Sequence, residues 1–99
     1  MDDILKPTGF SFAQYGWSKA PDGDYGIWGD DGANDLESDN MHGEKVISGT
    51  IDYFTRDSSS TPKNTIESAL DGKVAWYLSA IDFESDTGYI HYIWKYEHG

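Results

Sequence analysis

The sequence predicts an α+β domain: a mainly antiparallel β-sheet with one principal α-helix packed on one face, in the order β-β-(long acidic loop)-β-α-β-β. Three observations predict it. Residues 44–56 (EKVISGTIDYFTR) alternate at period two. Residues 58–73 (SSSTPKNTIESALDGK) carry helix start and stop signals. Two aromatic, β-branched runs then flank Asp86-Thr87-Gly88, the pattern of a β-hairpin.

Met1 to Lys6 allow at most a short helix, because Pro7 lacks the amide hydrogen and its ring blocks the preceding turn. Phe10 to Trp17 (FSFAQYGW) alternate in part and read as a strand or extended segment. Pro21 and Gly23 supply turn chemistry before DYGIWGD, a short strand centred on Ile27. Asp30 to Gly43 hold two glycines and two asparagines, with Leu36 and Met41 as the sizeable apolar groups, and read as an acidic loop.

Within Glu44 to Arg56, Ile47, Ile51 and Tyr53 share one face, and Ser48, Thr50 and Asp52 occupy the other. Gly49 inside this strand marks a bulge or a close backbone approach. Thr61 is placed as N-cap with Pro62 at the first helical position, and Gly72 suits the left-handed exit. The helix is expected over about Pro62 to Asp71, with Ile66, Ala69 and Leu70 as its apolar stripe. In the last strand Ile90, Tyr92, Trp94 and Tyr96 are expected to meet the helix. Tyr89, His91, Ile93, Lys95 and Glu97 line the opposite, amphipathic face, which suits a neighbouring subunit.

Composition narrows the function. The 99 residues form a single domain, 1–99, with no internal repeat. There is no cysteine, so disulfides and thiolate metal sites are excluded. The first residues are acidic and lack a sustained apolar run, so neither a secretion signal nor a membrane span is expected. Eighteen acids against seven bases leave a net charge of −11. Such a surface repels phosphates, which argues against sequence-specific nucleic-acid binding and against anionic membranes. Four Trp and seven Tyr are more than an acidic disordered chain carries, so the chain folds.

Eight carboxylates (Asp22, Asp24, Asp30, Asp31, Asp35, Glu37, Asp39, Glu44) follow one another without an intervening Lys or Arg. An EF-hand needs glycine at its sixth position and glutamate at its twelfth. From Asp30 the sixth residue is Asp35, and from Asp22 the twelfth is Ala33, so neither register works. A looser oxygen site would use Asp30, Asp31, Asp35 and Asp39. A solvated acidic loop is the plainer reading, and no cofactor is expected. The histidines (His42, His91, His98) lack zinc spacing, there is no G-x-S-x-G elbow or phosphate-binding glycine motif, and no catalytic residue is assigned. A DNA mimic that occupies the basic cleft of a DNA-binding enzyme is a second reading of the same charge.

The order of the pieces resembles one phage family. FAQYGWSKAPDGDYGIWGDDGANDLESDNMHGEKVISGTIDYFTRD, followed by STPKNTIESALDGKVAWYLSAIDFESDTGYIHYIWKYE, is similar to the small tail terminator (tail completion, head–tail joining) proteins of long-tailed bacteriophages and prophages of Gram-positive bacteria. The words that carry the resemblance are Tyr25-Gly26-Ile27-Trp28, Ser38-Asp39-Asn40, Asp52-Tyr53-Phe54-Thr55, Thr65 to Leu70, and Trp94-Lys95-Tyr96-Glu97. The chain departs from the family in its short N-terminus and in the turn KAPDGD.

The resemblance implies a non-enzymatic virion structural protein of the tail or neck, assembled in the host bacterial cytoplasm. It would self-associate into an oligomeric ring, a hexamer in the family, that caps the tail tube and docks to the connector. DNA would only pass through its channel, and an acidic lining would keep phosphates from sticking. The interaction candidates on this reading are Tyr89, His91, Ile93, Asp30, Asp31, Asp35, Glu37 and Asp39.

Overall fold

A computed structural model describes residues 1–33 and 47–98. Helix α1 (Asp2–Leu5) runs into a 3₁₀ turn (Lys6–Thr8). Strands β1 (Phe12–Gln14), β2 (Tyr25–Ala33) and β3 (Ile47–Thr55) follow, then helix α2 (Thr61–Leu70) and the hairpin of β4 (Ala75–Glu84) and β5 (Tyr89–His98). The α+β class and the β-β-β-α-β-β succession are those expected.

The five strands form one sheet in the order β1-β2-β3-β5-β4. β5 therefore lies between β3 and β4 and pairs antiparallel with both, while β2 pairs antiparallel with β3. β1 is the exception to the antiparallel pattern. It pairs parallel with β2, Phe12 opposite Gly26. Residues 15–24 supply the crossover that a parallel pair needs.

One face of the sheet carries the helices. Trp28, Ile51, Tyr53, Tyr92, Trp94 and Tyr96 meet Leu5, Ile66 and Leu70 in the core. Pro62, Ile66 and Leu70 recur every four residues on α2 and are buried, and each fully buried Ile or Leu contributes about 1.5–3 kcal/mol. As expected, Tyr92, Trp94 and Tyr96 face the helix, with Ile90 partly buried beside them. The indoles are anchored at their polar tips. Trp28 Nε1 donates to Asp2 (2.8 Å), Trp94 Nε1 to Glu67 (3.0 Å), Trp76 Nε1 to Asp71 (2.9 Å) and Trp17 Nε1 to the Gly26 carbonyl (2.9 Å). Three of the acids thus serve as indole acceptors rather than as free surface charge.

Several expectations are corrected. The acidic loop placed at residues 30–43 starts later, because β2 continues to Ala33. Asp30 pairs with Gly49 and Gly32 with Ser48, and Asp31 is the extra residue of a bulge between them. Backbone pairing with β3 overrides the loop-like composition of DDGA, and the rest of that segment lies outside the described residues. The strand expected from Glu44 is described from Ile47. Gly49 is a close approach rather than a bulge: a Cβ there would collide with the Tyr96 hydroxyl and sit 2.6 Å from the Gly29 carbonyl.

Thr61 is the first residue of α2 and not its cap. Ser60 holds the cap position without a side-chain bond, and the Thr61 amide donates to Ser59 Oγ (3.3 Å). Asp57 Oδ1 accepts from the Ser59 amide (2.8 Å), so the turn before the helix supplies the acceptor one residue earlier. The Ser59 hydroxyl and amide bonds hold the Asp57 carboxyl below its usual pKa. At the other end Asp71 is extended and Gly72 takes φ +77°, the left-handed exit expected.

Candidate interaction interface

The second face of the sheet carries no helix among the described residues. Its side chains follow from strand parity. Tyr25, Ile27 and Gly29 of β2 lie on it with Ser48, Thr50, Asp52 and Phe54 of β3. His91, Ile93, Lys95 and Glu97 continue it on β5, and Tyr77, Ala80, Asp82 and Glu84 on β4.

Register sorts these residues into rows across the strands. The first row is Tyr25–Phe54–His91–Asp82. Tyr25 stacks on Phe54 (centroids 4.8 Å, 18°), and Phe54 on His91 (4.1 Å, 21°). The second row is Ile27–Asp52–Ile93–Ala80, and the third joins Gly29, Thr50, Lys95 and Tyr77. The middle of the face therefore mixes Phe54, His91 and Ile93 with Asp52, Thr50 and Lys95. Asp82, Glu84, Asp31 and Glu97 stand around it.

Polar groups on this face are paired across strands. His91 Nε2 lies 2.7 Å from Asp52 Oδ2, and its Nδ1 lies 3.9 Å from Glu84 Oε2. Lys95 Nζ donates to Thr50 Oγ1 (2.9 Å), which donates to Asp31 Oδ2 (3.2 Å), and Lys95 lies 3.7 Å from the same carboxylate oxygen. A shallow hollow of about 200 Å³ separates Tyr15 from Asp31, Thr50 and Asp52. Tyr15 is 69% exposed and sets one edge of its ring over Gly29, where any Cβ would meet it at 2.5 Å. Its backbone takes φ 64°, a conformation that a non-glycine residue adopts only when its surroundings impose it.

The candidate residues do not all meet. Asp30 and Asp31 project to opposite faces of the sheet. On the helix side Asp30 Oδ1 accepts the Tyr96 hydroxyl (2.5 Å) and lies 3.8 Å from His98 Nε2, while Asp31 is held by Thr50 and Lys95 on the open side. Those two carboxylates cannot ligate one ion from these positions. Among the described residues no three His, Asp or Glu side chains gather as a metal site. Asp35, Glu37 and Asp39 lie outside the described residues.

His91 and Ile93 are half-buried on the open face. Tyr89 shares their parity but is only 8% exposed. Its ring is closed in edge-on by Tyr25 and Phe54, the Arg56 guanidinium lies 4.0 Å above it, and its hydroxyl donates to the Gly23 carbonyl (2.9 Å). Tyr89 is a packing residue of the hairpin end. Reading single strands missed Tyr25 and Phe54, which meet across the strands by register, and Tyr15, which reaches the face by packing against Gly29. Phe54 had a visible signal, since it shares parity with Ser48, Thr50 and Asp52.

No protein-family model, curated protein or solved structure matches this chain.

Proposed function

We propose that this chain is a non-enzymatic structural subunit of a closed ring of the head–tail joining type, which caps a phage tail tube, docks to the connector and becomes part of the virion. The open sheet face carries this reading. It presents a mixed surface suited to a protein–protein contact, with Tyr25, Phe54, Ile27 and Ile93 interleaved with the Asp52–His91 pair and further charged groups at its border. In a cyclic ring each subunit offers this face to a different surface of its neighbour. The net charge of −11 keeps the assembled channel from holding DNA phosphates as they pass.

Electron microscopy of the protein mixed with tail tubes tests the reading. Rings on tube ends are expected, and Ile93→Glu at the centre of the open face should abolish them while leaving the subunit folded. A protein that stays unassembled and never caps tubes rejects it.

One observation favours the alternative, a DNA-mimic inhibitor. Asp31, Asp52, Asp82, Glu84 and Glu97 all project from strands on the same face, so acids are spread over a rigid surface as well as along the acidic segment. This alternative expects salt-sensitive binding to a basic DNA-binding enzyme and its loss in Asp31→Asn/Asp52→Asn/Asp82→Asn/Glu84→Gln.

A further inference from the structure

The two sheet edges are built differently. β1 closes one edge with three residues and then turns away at Tyr15. β4 forms the other edge with ten residues, AWYLSAIDFE, and its outer side is unpaired among the described residues. Edge strands are commonly protected by Lys, by Pro or by brevity. β4 has no Lys, Arg or Pro, and it carries exposed Tyr77 (61%), Ile81 (52%) and Phe83 (67%).

A bulge gives this edge a specific pattern. Leu78 pairs with Trp94 and Ala80 with Ile93, which leaves Ser79 as the extra residue and shifts the phase of the strand. Trp76 and Leu78 before the bulge, and Ile81 and Phe83 after it, consequently project to the same, helix-bearing side. Tyr77 and Asp82 both project to the open side.

That sequence is self-complementary in an antiparallel register centred on the bulge. We propose that β4 is a homodimerisation edge, two copies pairing their β4 strands about a two-fold axis between Ser79 and Ala80. Phe83 then lies opposite Trp76 of the second copy, and Ile81 opposite Leu78, so the exposed apolar groups cover partly exposed ones. Asp82 faces Tyr77 and Glu84 faces Ala75, and no carboxylate meets another. Registers centred nearer Phe83 set Asp82 against Glu84 and are disfavoured by like-charge repulsion. The pairing satisfies free backbone groups of the edge outside the central bulges and is isologous. It does not depend on the ring reading, which uses the open face.

Both copies carry a net charge of −11, so salt should tighten the dimer by screening. Sedimentation velocity at increasing protein concentration, in 0.05 M and 0.5 M NaCl, should show a monomer–dimer equilibrium with a larger dimer fraction at high salt. Phe83→Lys should weaken association at least tenfold with unchanged circular dichroism, although it makes the chain less negative. The absence of native cysteine allows a register test. An oxidised equimolar mixture of Tyr77→Cys and Asp82→Cys chains should give several-fold more disulfide dimer than either variant alone. A wild type that stays monomeric at both salt concentrations, association unaffected by Phe83→Lys, or equal cross-linking in all three samples overturns the proposal. Rings formed on tube ends by a wild type that gives no β4 dimer, with no cross-link between Tyr77→Cys and Asp82→Cys chains, would leave the ring reading intact and remove this one. A β4 dimer that never caps tubes would do the reverse.

Discussion

Trp94 Nε1 donates to Glu67 Oε2 at 3.0 Å, which ties the centre of the sheet to the middle of α2. Trp94 is fully buried, so its N–H has no access to water. The other carboxylate oxygen of Glu67 accepts from Lys63 Nζ at 3.1 Å, one turn earlier on the helix. Glu67→Leu should destabilise the protein by about 1–3 kcal/mol, the usual cost of a buried donor left without an acceptor. Glu67→Gln keeps an acceptor oxygen and should cost less. Urea midpoints of the two variants check the order, and equal losses would show that the bond to Trp94 is not what matters.

Gly49 is the next constraint. The Tyr96 side chain and the Gly29 carbonyl fill the space that a Cβ would occupy. Gly49→Ala should therefore cost about 1–3 kcal/mol through overpacking, although alanine normally suits a strand interior at least as well as glycine. Thermal or urea unfolding of G49A reads this directly. A neutral or stabilised variant would mean that the Tyr96 ring moves aside at little cost.

Thr55 is fully buried at the end of β3. Its hydroxyl donates to Asp24 Oδ2 (2.6 Å) and accepts from the Asp57 amide (3.0 Å), joining the turn before β2 to the turn before α2. Thr55→Val keeps the shape and removes both bonds, with an expected loss of about 1–3 kcal/mol. Thr55→Ser should lose less. Hydrogen exchange of the Asp57 amide gives a local readout, faster in T55V than in T55S.

Alkaline pH should probe Tyr96. Burial first, and then its hydrogen bond to Asp30, push the hydroxyl pKa well above the ordinary tyrosine value near 10. The folded state therefore keeps a proton that the unfolded state loses. The corresponding stability is present below about pH 10 and is lost as pH rises from there towards the folded value. Tyr53, raised by burial and by Asp24 and Asp57, acts in the same direction. Urea unfolding at pH 8 and pH 11 should show a smaller alkaline loss in Tyr96→Phe than in the wild type. Equal losses would rule out this proton as the cause.

Much of the architecture was legible in single segments. The alternation of Ile47, Ile51 and Tyr53, the Pro62 and Gly72 boundaries, and the Asp86-Thr87-Gly88 turn are local signals, and each marks the element found there. Parity also placed Tyr92, Trp94 and Tyr96 against the helix. The acceptor that completes the Trp94 indole was not legible, because Glu67 meets it only once α2 packs on the sheet.

The remaining features depend on pairs of segments. The bulge at Asp31 is a mismatch between β2 and β3, and the bulge at Ser79 is one between β4 and β5. Neither exists in either strand alone. The parallel pairing of β1 and the insertion of β5 between β3 and β4 likewise depend on which backbone edge each strand finds. The aromatic row through Tyr25, Phe54 and His91, and the apolar side of β4, then follow from those registers. Propensity and periodicity act within a few residues and are written in the chain. Strand order and register arise from hydrogen bonds and packing between residues distant in sequence, and only the folded sheet brings those residues together.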